Sequence, residues 1–89
     1  MTFEWDEDKR ERNLARHRID FVDAVVVFDG RPVITNYSPR EGEDRWATTA
    51  VVDGRYMTVV WTQREGNTRL ISARRTRENE KREYRTIHG

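Results

Sequence analysis

Two glycine turns, Asp53-Gly54 and Glu65-Gly66-Asn67, divide three consecutive β-prone runs. A two-residue turn of the Asp-Gly type closes a hairpin because both central residues take positive φ, which glycine does without steric cost. Three antiparallel strands are therefore expected in succession, Arg45 to Val52, Arg55 to Gln63 and Thr68 to Arg74. Connections this short forbid crossovers, so the meander constrains everything packed around it. Along the middle strand, Met57, Val59 and Trp61 share one face. Tyr56, Thr58, Val60, Thr62 and Arg64 share the other. The first face is apolar and should pack on helices, while the second is mixed and free to carry a binding surface.

The flanking segments read as helices. Phe3-Glu4-Trp5 is a short strand or extended lead-in, and Asp6 caps a helix from Glu7 to about Arg16. That helix has only Leu14 and Ala15 as apolar residues, so it should lie on the surface, anchored by Trp5 and Leu14. Asp20 is a second cap, followed by Phe21, Ala24, Val25 and Phe28 at helical spacing. Val22, Val26 and Val27 in the same segment favour strand and weaken that helix. Asp29-Gly30-Arg31-Pro32 stops it. Val33-Ile34-Thr35 suggests a short strand, and residues 36 to 43 a loop. Thr76 is placed to cap a last helix through about Ile87, with Glu80 and Glu83 solvating it. The expected fold class is α+β, with two N-terminal helices, an antiparallel meander and a C-terminal helix in one domain spanning residues 1–89.

Charge narrows the function. The chain is 37% charged with a net charge of only +1, so it is no generic polycation. Its basic residues are fifteen Arg and only two Lys, Lys9 and Lys81. Residues 69 to 85 hold seven basic and three acidic side chains, whereas residues 1 to 20 hold five and six. A basic excess at one end suits a phosphate-binding surface on one side of a small domain. No cysteine is present, which excludes disulfides and thiolate metal sites and fits a reducing cytoplasm. No apolar run is long enough for a membrane span, and no signal-peptide pattern is seen. Walker loops, dinucleotide turns, zinc-ligand spacings and nucleophile elbows are all missing, which disfavours small-substrate hydrolysis in a deep pocket.

The run Leu70-Ile71-Ser72-Ala73-Arg74-Arg75-Thr76-Arg77 delivers guanidinium groups to the rim of a sheet. Such groups bind phosphate oxygens in two-point geometry. RNA cleavage without a metal requires a base for the 2′-hydroxyl, an acid for the leaving oxygen and cations for the phosphorane. Arg64, Arg74 and Arg75 are candidates for the cations, if the strand register gathers them. His17 and Glu78 are candidates for the base and Tyr84 for the acid, with Arg45, Arg77 and Lys81 as further RNA contacts. Each also has a structural reading: edge charges, a Glu43–Arg45 surface pair, a helix-end histidine, a dipole-favouring Glu78 and a core-anchoring Tyr84.

Over nearly its full length the chain resembles the BrnT toxin family of bacterial type II toxin–antitoxin pairs. The resemblance rests on Phe3-Glu4-Trp5-Asp6 with Lys9 and Asn13, and on Arg16-His17 followed by Phe21, Ala24 and Phe28. It continues through Glu43-Asp44-Arg45 and Val59-Val60-Trp61-Thr62 with Arg64. Its most specific part is Ile71-Ser72-Ala73-Arg74-Arg75 with Glu78, Arg82 and Tyr84. The resemblance implies a RelE-like fold, a translation-blocking ribonuclease, no cofactor, and a BrnA-type antitoxin with a ribbon-helix-helix part. Operator DNA would be met only through that complex. The family usually has Lys-His-Gly where this chain has Arg16-His17-Arg18, so a changed end to the first helix is expected. Two competing readings remain: a non-enzymatic partner that completes a DNA-bound repressor, and a nucleic-acid-binding domain that works alone.

Overall fold

The computed structural model describes residues 1–89. Its centre is the expected meander: β3 (Trp46–Val52), β4 (Arg55–Arg64) and β5 (Asn67–Arg75). Asp53 and Gly54 have φ of 51° and 77°, and Glu65 and Gly66 have 51° and 82°. Both turns are therefore the mirror-image type that matches strand twist. Asn67 belongs to β5 rather than to the turn, pairing with Arg64. The sheet gains an edge strand on each side, giving the order β1-β5-β4-β3-β2. β1 (Phe3–Glu4) runs parallel to β5, so the sheet is mixed. β2 (Ile34–Tyr37) pairs antiparallel with β3. Asn36 and Tyr37, expected in a loop, are thus strand residues, because Ala47 and Trp46 offer them a ladder that the local sequence does not announce.

Two short helices cover one face. Asp6 caps α1 (Glu7–His17), accepting from the backbone N–H groups of Asp8 and Lys9. Asp20 caps α2 (Phe21–Ala24), which tightens into a 3₁₀ turn over Val25–Phe28, where the valines crowd an α-helix. Phe21, Ala24 and Val27 bury themselves against Ala50, Val59, Leu70 and Ala73, and Met57 and Trp61 close the margins. The anchor of α1 differs from expectation. Leu14 is 42% exposed, whereas Asn13 is buried.

Asn13 does the work of a missing strand. β1 covers only Thr68 and Arg69 of β5, leaving the outer edge bare beyond them. There Asn13 accepts from the Ala73 N–H at 3.1 Å and donates to the Ala73 carbonyl at 2.9 Å. It also donates to the Ile19 carbonyl at 2.9 Å. An amide has both donor and acceptor, so it alone can satisfy both backbone groups of one edge residue.

The C-terminal helix α3 (Glu78–His88) lies across the opposite face. Tyr84 stands edge-on to Tyr56 with ring centroids 5.6 Å apart, and Asn36 donates to Glu83 at 2.9 Å. Its cap is Arg77, not Thr76. The Thr76 hydroxyl is instead buried, 2.9 Å from that of Thr58, which continues to Thr49 at 2.9 Å. Glu80, expected to be solvated, accepts from both terminal nitrogens of Arg74 at 2.8 and 2.9 Å and from the Arg77 N–H. This fork welds the end of β5 to α3.

Candidate functional site

The register separates the arginines that the sequence groups together. Arg74 pairs with Thr58 near the start of β4, whereas Arg64 pairs with Asn67 at its end. The two positions are six residues apart along β4, about 20 Å at strand rise. Arg45 precedes Trp46, whose partner is Trp61, and so belongs to the Arg64 end. There it pairs with Glu43 at 2.7 Å. The expected gathering of Arg64 with Arg74 and Arg75 is therefore corrected: antiparallel pairing sends the end of β4 to the start of β5.

Arg74 and Arg75 do point to opposite faces. Arg74 is engaged by Glu80, and its side chain is only 15% exposed. Arg75 opens onto a cleft of about 1210 Å³ between the end of α1, the start of α2 and the β3–β4 hairpin. His17, Arg18, Arg55, Tyr56 and Lys81 also line this cleft. Five cations there face three carboxylates, Asp20, Asp23 and Asp53. Asp20 is already occupied by the Arg10 fork at 2.8 and 3.0 Å and by capping α2. Arg31, also in the cleft, is held by Asp29. Arg18, Arg55 and Arg75 have no carboxylate partner. These are the guanidinium groups available to an anion.

His17 is at the last position of α1, half-buried at the rim of the cleft. Its imidazole is held below the ordinary histidine range, first by burial and then by the positive charges of Arg16 and Arg74. The neutral ring, able to accept a proton, is thereby favoured near neutrality. The residue after it keeps the glycine geometry without glycine. Arg18 adopts φ 60°, ψ 28°, and its N–H bonds the Leu14 carbonyl. That capping bond holds Arg18 in the left-handed region, the conformation a glycine at this position would favour.

Other candidates lie outside the cleft lining. Tyr84 directs its hydroxyl to the Pro32 carbonyl at 3.3 Å. Glu78 is largely exposed and meets Lys81 at 3.5 Å. Arg77 serves as the α3 cap. Lys81 does reach the cleft, with its ammonium 5.6 Å from the Tyr56 ring centroid. Sequence reasoning missed Arg18, Arg55 and Tyr56 as site residues. The position of Arg55, directly after the Asp53-Gly54 turn and so at a sheet end, was a usable signal.

The small α+β fold thus lines one cleft with a half-buried histidine and three guanidinium groups that have no carboxylate partner. The family model for the ribonuclease toxin BrnT of type II toxin–antitoxin systems matches residues 5–80, and the chain belongs to that family. No curated protein matches it. No helix is long and apolar enough to cross a membrane.

Proposed function

We propose that this chain is an endoribonuclease toxin of one RelE-like domain, acting in the cytoplasm without a metal and neutralised by a BrnA-like ribbon-helix-helix antitoxin. Operator DNA would be contacted only through that complex. The observation that carries the reading is the meeting of His17, whose burial and positive neighbours disfavour its protonated form, with the unpaired guanidinium groups of Arg18, Arg55 and Arg75 in one cleft. His17 takes the 2′-hydroxyl proton, and the 2′-oxygen attacks the adjacent phosphorus. Arg75 and Arg18 stabilise the charge that builds on the phosphorane oxygens. The bond to the 5′-oxygen then breaks, leaving a 2′,3′-cyclic phosphate. Tyr56, in the cleft beside Lys81, is placed better than Tyr84 to protonate the leaving oxygen. Arg74 acts as a positioning residue through its fork with Glu80.

The test is induction in cells alongside purified protein mixed with labelled RNA in the presence of a chelator. Wild type should arrest growth and leave cyclic-phosphate ends. His17→Ala and Arg75→Ala should each slow cleavage by about 100-fold or more while remaining folded. Full toxicity and cleavage by both variants would refute the site. Tight antitoxin binding with no cleavage by wild type would favour the non-enzymatic adaptor.

A further inference from the structure

A second groove runs along the opposite flank of His17, and its charge is of one sign. It has a volume of about 380 Å³ between α1 and the outer edge of β5. Lys9, Arg12, Arg16 and His17 line it with Ser72 and Ile71, and no carboxylate does. None of Lys9, Arg12 and Arg16 is in an ion pair. Of the acidic residues of α1, Glu7 and Glu11 fall on the other side of the helix at about 100° per residue, while Asp8, one turn before Arg12, borders the groove without lining it. A row of cations without ion-pair partners repels itself, so its gathering along one groove favours an anion there.

We infer that this groove is a phosphate track that holds the single-stranded RNA running from the cleft, an inference that rests on the proposed ribonuclease reading. Continuity supports it, because His17 lines both grooves and so marks where a strand would pass from one to the other. Length supports it too. Lys9 to Arg16 spans about 10 Å of helix, or roughly three nucleotides of a stacked strand at ~3.4 Å each. The floor includes Ile71, skipped where the β4–β5 register shifts, which offers an apolar surface to a base or ribose. An added protein strand is disfavoured, because Asn13 already occupies the Ala73 N–H and carbonyl on that edge.

The experiment uses fluorescent 2′-O-methyl RNA of about twelve nucleotides, which lacks the attacking hydroxyl and falls within the range of single-strand sites. Binding is read by anisotropy across a salt series, with cleavage of unmodified RNA measured in parallel. Relative to wild type, the triple variant Lys9→Gln/Arg12→Gln/Arg16→Gln should bind about 100-fold more weakly at low salt. Its slope of log affinity against log salt should be shallower by about 2, from three lost phosphate contacts at ~0.7 each. Arg82→Gln/Arg85→Gln on α3, at residues that line neither groove, should match wild type. An unchanged slope and affinity in the triple variant would overturn the track while leaving cleavage by wild type to support the ribonuclease reading. Salt-sensitive loss of binding in a wild-type background that never cleaves would sustain the track and reject the ribonuclease. Loss of antitoxin binding with RNA affinity intact would assign the groove to an acidic protein segment and overturn the inference.

Discussion

At the scale of single residues, the turn after α1 shows a conflict between stability and charge. Arg18 has φ 60°, a region that costs a residue with a Cβ about 1 kcal/mol. Arg18→Gly should raise unfolding stability by about 1 kcal/mol, read as a shift in denaturant midpoint. The same change removes a guanidinium from the cleft, so cleavage should slow as the fold becomes more stable. A variant that gained stability with undiminished cleavage would exclude Arg18 from the chemistry. His17 yields a pH prediction with a definite sign. Burial, Arg16 and Arg74 disfavour the imidazolium, so the basic form persists to lower pH than in an ordinary histidine. The acid limb of kcat/KM should therefore lie below about 6.5. Arg16→Gln removes one positive neighbour, raises the affinity of His17 for its proton and should move that limb to higher pH. A limb that stayed in place would show that His17 is not the titrating base.

At the scale of elements, legibility followed locality. The Asp53-Gly54 and Glu65-Gly66 turns announce their strands because the turn residues impose the geometry themselves. The Asp6 and Asp20 caps were equally readable, each acting within three residues of its own position. What could not be read was closed by partners distant in the chain. β1 becomes a strand only because Thr68 and Arg69 lie beside it. Asn13, a polar residue in a helix with few apolar ones, faces inward because a bare strand edge sixty residues away needs one donor and one acceptor. Asn13→Leu keeps similar bulk but leaves both Ala73 groups unpaired, and should cost about 2–4 kcal/mol in chemical denaturation. Because α1 carries His17 one turn later, the variant should also lose cleavage in proportion greater than its loss of folded fraction. Normal activity in its folded fraction would mean that Asn13 stabilises the fold without setting the site.

At the scale of the whole molecule, a net charge of +1 conceals how the charges are distributed. The N-terminal twenty residues sum to slightly negative, yet the groove along α1 is lined by basic residues and no carboxylate, because Glu7 and Glu11 are turned away. Linear charge counting directed attention to the C-terminal arginines and passed over this flank. Folding likewise divides arginines that look equivalent in sequence between the two ends of the sheet. Arg75 faces the cleft, and Arg64 ends β4 beside the start of β5, where hydrogen bonds from Asn67 and Arg69, aided by its charge, hold the Glu4 carboxyl below its ordinary range. A direct contact to a phosphate cannot act across about 20 Å of strand, so the two arginines should separate in a cleavage assay. Arg75→Ala should reduce cleavage by about 100-fold or more with the fold retained, whereas Arg64→Ala should leave the rate within about threefold of wild type. Single-turnover cleavage of one RNA by both variants, with circular dichroism to check folding, decides the matter. A loss for Arg64→Ala that equals that for Arg75→Ala would overturn the assignment of the cleft as the one phosphate site, and a loss confined to Arg64→Ala would move that site to the Arg45 and Arg64 end.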